Sequence, residues 1–223
     1  MKIKHALPGD IERSSMAIIA GELAQRGVVL PPEREAVVKR VIHATADFDY
    51  AEALRFTPQA VELGQAALRR GTPIVTDTNM AKAGVSRPSL EKLGCGLHCF
   101  MAEPEVARLA KERGITRAAV SMEKAAREYP GAILAVGNAP TALLRIAELL
   151  EEGLRPALVI GVPVGFVNVV ESKELLFAAC ESCGVPAIAA MGRKGGSNVA
   201  AAICNALLYG AAGTLDPAAR GWR

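Results

Sequence analysis

Ala132-Ile133-Leu134-Ala135-Val136-Gly137-Asn138-Ala139-Pro140-Thr141 is an apolar run of strand length that stops at a glycine and reopens on a proline. A short apolar run bounded by turn signals suits a strand buried on both faces. Pro140 suits the first turn of the helix that follows, which ends at Gly153. Similar units flank it. Residues 72–77 read as a strand leading into a polar loop at 78–84, and 96–101 as a second strand, followed by a helix over 116–128. Residues 157–160 lead through a glycine-bounded turn at 161–165 into another helix. Residues 186–190 lead through the glycine-rich 192–198 into the last helix. Strands alternating with helices give a parallel sheet covered on both sides. The expected fold is therefore α/β: a flavodoxin-like, doubly wound, five-stranded parallel sheet in three α/β/α layers.

Ahead of this core the periodicity is helical. Asp10 is placed to cap a helix through Ile11, Ile18, Ile19 and Leu23 that ends at Gly27. Pro31-Pro32-Glu33 opens a second helix, in which Val37, Val38, Val41 and Ile42 recur at helical spacing. His43 then falls near its C-terminal end, and a strand beginning near residue 41 is the alternative. Thr57-Pro58 opens a third helix that stops at Gly71. The expected organisation is one domain over 1–215. It comprises an N-terminal helical addition (about 8–70), the parallel α/β core (about 71–210) and a loose tail at 216–223.

Composition excludes several functions. The chain has 223 residues, 51% hydrophobic and 22% charged, as in a folded globular protein. A formal net charge of +3 is small for a nucleic-acid surface but suits an anionic small molecule, and one Trp, three Tyr and five Phe offer little base stacking. No apolar run approaches the roughly 18 residues that a membrane span needs, and residues 1–10 lack a signal-peptide core. The expected location is the cytoplasm, with neither nucleic acid nor membrane as partner. Five cysteines (Cys95, Cys99, Cys180, Cys183, Cys204) argue against a disulfide framework. The pairs Cys95/Cys99 and Cys180/Cys183 could assemble a zinc site, but buried structural thiols are the better reading and no metal is expected.

In an open parallel sheet, ligands bind beyond the carboxyl ends of the strands, where the strand order reverses. The polar and glycine-rich segments lie there: Asp77-Thr78-Asn79, Gly137-Asn138, 161–165 and 192–198. Several lead into helix N-termini, whose free N–H groups accept anionic oxygens. Glycines after strands also simply make tight turns, but four such segments at one rim favour a carboxylate or phosphate site. No phosphate-binding P-loop and no dinucleotide fingerprint is present. Three histidines occur. His5 sits in the extreme N-terminus, and His98, between Leu97 and Cys99, suits a structural role. His43, between apolar neighbours and four residues before Asp47, is either a core histidine or an acid/base tuned by burial and that carboxylate. No nucleophilic elbow or metal-binding helix motif accompanies it.

Six stretches carry a resemblance: Asp10-Ile-Glu-Arg13-Ser-Ser15-Met, Val41-Ile-His43-Ala-Thr-Ala-Asp47-Phe, Asp77-Thr-Asn-Met-Ala-Lys-Ala-Gly84, Gly137-Asn-Ala-Pro-Thr141, Gly161-Val-Pro-Val-Gly-Phe-Val-Asn-Val-Val-Glu-Ser-Lys173 and Gly192-Arg-Lys-Gly-Gly-Ser-Asn198. Together, and in this order, they resemble the precorrin-8X methylmutase family of cobalamin biosynthesis, from about residue 4 to 208. Ser14 stands where that family often has a second arginine. The resemblance implies an isomerase that moves a methyl group from C11 to C12 of precorrin-8X or cobalt-precorrin-8, giving the corrin hydrogenobyrinate or cobyrinate. It implies His43 as the catalytic residue, placing a proton at a ring nitrogen to ease a [1,5]-sigmatropic shift, with no cofactor. Arg13, Ser15, Thr78, Asn79, Lys82, Gly84, Arg117, Gly165, Lys194 and Ser197 are the implied receptors for the anionic tetrapyrrole. It also implies a homodimer that hands its product to other enzymes of the pathway. A tetrapyrrole carrier and a phosphate-ligand enzyme remain the competing readings of the same residues.

Overall fold

The computed structural model describes residues 7–221, so His5 lies outside the described residues. The quoted stretch forms β4 (Ile133–Val136), every residue buried, followed by a helix over Pro140–Glu151. β2 (Ile74–Thr76), β3 (Leu97–His98), β5 (Leu158–Gly161) and β6 (Ala187–Ala190) are its parallel companions. The sheet is six-stranded and mixed, however, not five-stranded and parallel. β1 (Leu54–Phe56) pairs antiparallel with β6, in the order β1-β6-β5-β4-β2-β3. Three residues carry no apolar periodicity of their own. β1 exists because Leu54, Arg55 and Phe56 stand opposite Ala190, Ala189 and Ile188. Thr57 finishes the pairing by donating its N–H to Ala187 O (3.0 Å) and accepting the Ala187 N–H on Oγ1 (2.8 Å).

Two helical layers cover the sheet. On one face lie α1 (Pro8–Gln25), α2 (Pro32–Thr45), α4 (Ala60–Arg69), α5 (Asn79–Gly84), α6 (Arg87–Leu93) and α11 (Ser197–Ala212). On the other lie α7 (Pro104–Arg113), α8 (Arg117–Glu128), α9 (Pro140–Glu151) and α10 (Val169–Cys183). The one-turn helix α3 (Tyr50–Ala53) leads into β1. α11 is buried nearly all round, as its apolar sequence requires. Its alanines admit close neighbours: a Cβ on Gly84 would stand 2.8 Å from that of Ala201. In the N-terminal segment, α1 and α2 share one core with α11, and β1 joins the sheet.

Three local expectations also change. Asp10 lies in the first turn of α1 and does not cap it; Leu7 is the N-cap residue. The loop expected at 78–84 is α5, capped by Thr78 Oγ1 accepting the Ala81 N–H at 3.0 Å. The expected loose tail is docked as far as it is described. A 3-10 helix (Pro217–Arg220) lies against α1, and Arg220 Nη2 donates to Glu12 Oε1 at 2.5 Å. No helix of the described residues is long and apolar enough to cross a membrane.

Candidate active site

From edge strand β3 the chain returns past β2 to form β4, so the strand order reverses between β2 and β4. Asp77, directly after β2, is fully buried there. Its carboxylate accepts the N–H groups of Gly137 (2.9 Å), Asn138 (2.8 Å) and Ala139 (2.9 Å). Burial pushes the Asp77 carboxyl up, while those three donors pull the other way. Asp77 therefore clamps the exits of two adjacent strands at the place where a ligand is expected.

The glycine-rich loop before α11 closes on the same point. A Cβ on Gly137 would lie 2.7 Å from Ser197 Cα and 2.8 Å from Gly196 O, so only glycine permits this backbone approach. Thr78 Oγ1 and Ser197 Oγ are 2.8 Å apart and hydrogen-bonded, joining the N-terminus of α5 to that of α11. Gly196 N–H donates to Val162 O at 2.8 Å and Gly165 N–H to Arg193 O at 3.3 Å, which ties the loop to the exit of β5. Beneath it lies Lys173 of α10, fully buried, whose Nζ donates to Gly192 O and Lys194 O, both at 2.8 Å. No carboxylate pairs with Lys173 among the described residues, and burial pushes its ammonium down to about 8.

His43 sits in the last turn of α2. Val37, Val38, Val41 and Ile42 turn into the core, which leaves the imidazole exposed. Burial of its inner side pushes the His43 pKa down, the Arg40 cation adds to that, and the Glu12 carboxylate opposes it. The ring is therefore neutral at neutral pH. The expected His43–Asp47 pairing is not made. Ala46, at φ 54°, ends the helix in a left-handed turn and carries Asp47 off the helical path. Lys194 Nζ donates instead to Asp47 Oδ2 and Asp49 Oδ2, each at 2.6 Å, and holds the Asp47 carboxyl below its usual range.

The remaining expected residues fall into groups. Thr78, Ser197, Gly165 and Lys194 come together around the rim loops. Asn79 and Lys82 line a cleft of about 480 Å³ beside Arg87, Leu90, Cys95 and Leu97. Arg117 opens α8 on the opposite face, but at the same rim, because Thr116 Oγ1 and Thr141 Oγ1 are 2.7 Å apart. Arg13 and Ser15 are occupied on α1. Arg13 pairs with Asp10 (2.5 Å) and Asp216 (3.3 Å), and Ser15 Oγ donates to Ile11 O (2.8 Å). Gly84 owes its size to the α11 contact, and its carbonyl accepts from Asn205 Nδ2 at 2.9 Å.

Glu12, Arg40, Arg220 and Lys173 were not expected as site residues, and Asp77 was expected at the rim only as part of a polar segment. Glu12 Oε1 receives both Arg40 Nη2 and Arg220 Nη2 at 2.5 Å, in the cluster whose field reaches His43. Tyr209 lies under both guanidinium groups. Of the cysteines considered for zinc, Cys95 packs against one core and Cys180 and Cys183 belong to the other, on the opposite face of the sheet. His98 is stacked on Tyr129, with ring centroids 4.3 Å apart.

The family model described as precorrin-8X methylmutase matches residues 10–210. The cobalt-precorrin-8 methylmutase of Salmonella typhimurium is 45% identical, over 91% of this chain and 95% of its own length. The cobalt-precorrin-8 methylmutase of Leptospira interrogans is 44% identical over 89% and 92%. The precorrin-8X methylmutase of Pseudomonas aeruginosa is 43% identical over 88% and 93%. A crystal structure of precorrin-8X methylmutase from Thermus thermophilus superposes with a TM-score of 0.82, at 40% identity, covering 91% of this chain and 98% of that one. A match over so much of the chain makes it a member of the precorrin-8X methylmutase family.

Proposed function

We propose that His43 and the clamped rim make this protein a working methylmutase of cobalamin biosynthesis. It is an isomerase that moves a methyl group from C11 to C12 of precorrin-8X or cobalt-precorrin-8, yielding hydrogenobyrinate or cobyrinate. The migrating methyl stays within one molecule, so the enzyme needs to hold a geometry and place a proton, not to supply a nucleophile. The observation that carries the role of His43 is its position: an exposed imidazole beside the turn that Lys194 ties to the rim. A neutral imidazole offers one N–H donor and one acceptor, which suits hydrogen bonding to a ring nitrogen. A bound polyanion would raise its pKa and favour transfer of the proton at that nitrogen, easing the [1,5]-sigmatropic shift.

The substrate's acetate and propionate groups are placed at Thr78, Ser197, Gly165, Lys194 and Arg117, with Asn79 and Lys82 extending the surface. Lys194, held by Asp47 and Asp49, and Arg13 and Ser15 would have to exchange their present partners to take part. The order of the parallel strands supports the flavodoxin-like, doubly wound reading of the core. A homodimer fits the exposed apolar stripe of α1, where Leu7, Ile11 and Ile18 lie on one side of the helix.

The test is an absorbance time course with purified protein and precorrin-8X, metal-free and cobalt-loaded, beside His43→Ala. Conversion to the corrin chromophore by wild type and none by the variant is the expected result. Conversion by both would remove His43 from the chemistry, and tight binding without conversion by wild type would favour a carrier.

A further inference from the structure

We propose that the cleft between α5 and α6 takes one propionate arm of the substrate, with Arg87 joining Lys82 as receptor for that arm's carboxylate. The inference rests on the reading that the rim takes the substrate's carboxylates, and it adds Arg87 as a residue that selects for their charge.

The two helices build the cleft from matching faces. Asn79, Lys82 and Ala83 of α5 stand at positions i, i+3 and i+4, as do Arg87, Leu90 and Glu91 of α6. Residues so spaced share one side of a helix, and both sets line the same cleft of about 480 Å³. Its floor is apolar. Leu90 is buried, Leu97 of the edge strand β3 is half-buried, and the Cys95 thiol is spent in donating to Leu68 O at 3.2 Å. α5 begins directly after Thr78, whose hydroxyl is bonded to that of Ser197, so the cleft opens beside the rim.

Charge decides what such a cleft can hold. Lys82 is half-buried and Arg87 exposed, and neither pairs with a carboxylate among the described residues. Arg87 opens α6, where the positive end of the helix disfavours a cation and the first turn holds no acidic residue. Burial pushes the His98 pKa down and the Lys82 cation adds to that, so a positive field covers the β3 side of the cleft. Glu91 is the one carboxylate among the described lining residues, which leaves two cations against one anion. An apolar floor under a cationic lip matches a short methylene stem that ends in a carboxylate. The stem gains by leaving water, and the carboxylate can accept two parallel N–H bonds from a guanidinium. A propionate, one methylene longer than an acetate, reaches farther from the ring edge and so farther into the cleft.

The test measures affinity toward cobyrinate and toward cobyrinate whose side-chain carboxylates have been converted to carboxamides, with turnover of precorrin-8X followed in parallel. Arg87→Gln should bind cobyrinate roughly tenfold more weakly, about 1.4 kcal/mol. Its carboxamide binding should be unchanged, and the loss in turnover should lie in KM rather than kcat. Arg87→Lys should keep most of the affinity, and Glu91→Gln, which removes the competing anion, should bind cobyrinate more tightly. Lys111→Gln on α7 makes an equal change of net charge on the opposite face of the sheet and should leave affinity as it is. Ala83→Phe, which fills the cleft from an exposed position, should weaken both ligands. Cobyrinate affinity in Arg87→Gln equal to that of wild type overturns the role of Arg87, and so does an equal loss for both ligands or a matching loss in Lys111→Gln. Full affinity in Ala83→Phe overturns the cleft as the place of the arm. Wild type that shows no preference for the carboxylate overturns the rim reading itself.

Discussion

Lys194 Nζ donates to Asp47 Oδ2 at 2.6 Å, joining the loop before α11 to the turn that follows His43. This contact takes from His43 the carboxylate that its helical spacing promised, and leaves the imidazole under the influence of Arg40 and Glu12. Asp47→Asn should therefore leave the His43 titration in place. Arg40→Gln should move it upward by removing a cation, and Glu12→Gln should move it downward by removing an anion. Following the His43 ring protons by NMR against pH checks all three. A clear displacement in Asp47→Asn would show that Asp47 reaches the ring after all.

The lowered pKa of His43 has a signed effect on stability. Between the folded value and the unfolded one, about 6.5, the unfolded chain binds more protons, so stability rises with pH through that window. It is lost as pH falls from about 6.5 through the folded value. His43→Gln lacks this contribution. Melting curves from pH 8 to pH 5 should show wild type losing more stability than the variant, and parallel curves would mean that the imidazole is not disfavoured as a cation.

Much of the fold was legible because the core strands write their own signal. Val136-Gly137 and Pro140 mark the end of β4 and the start of α9, and the structure keeps those bounds. β1 was not legible, because three residues become a strand only when β6 stands beside them. α7 was passed over because its surface is polar and only Val106 and Ala110 are buried. Yet Pro104 at its start and Gly114 at its end are signals that could have found it. At the site, the glycine loops stand out locally, whereas pairing does not. Arg220 meets Glu12 across 208 positions, and no spacing rule spans that distance.

Asp77 should act as the structural pin of the rim. Asp77→Ala strands three amide donors at a buried point. Hydrogen bonds to charged groups are worth about 1.5–3 kcal/mol each, and partial rehydration returns some of that. A loss of about 3 kcal/mol or more is expected, read as a lower urea midpoint at unchanged slope. A midpoint like that of wild type would show that the strand exits hold without the carboxylate.

Gly137→Ala tests the same junction from the other side. Its Cβ would meet backbone, Ser197 Cα at 2.7 Å and Gly196 O at 2.8 Å, and backbone cannot rotate away as a side chain can. Overpacking of this kind costs about 1–3 kcal/mol. The strain falls on the loop, so substrate affinity should drop together with the melting temperature. Unchanged affinity in a destabilised variant would separate this junction from binding.

Glu12 is the last case, and here the sign of the charge decides. Its carboxylate is buried between Arg40 and Arg220, with Tyr209 beneath both. Burial alone would push the Glu12 carboxyl up, but the two guanidinium groups together hold it below its usual range. Its contribution is therefore present above the ordinary carboxylate value and lost as pH falls through the lower, folded one. Removing one partner of a buried ion cluster costs about 3–5 kcal/mol, because the remaining charges stay buried and uncompensated. Glu12→Ala should fall in that range at pH 7 and approach wild type in acid, with the C-terminal 3-10 helix released and more readily cleaved by protease. A variant equally destabilised at pH 7 and in acid would mean that Glu12 acts by packing, and that the two arginines find other partners when it is gone.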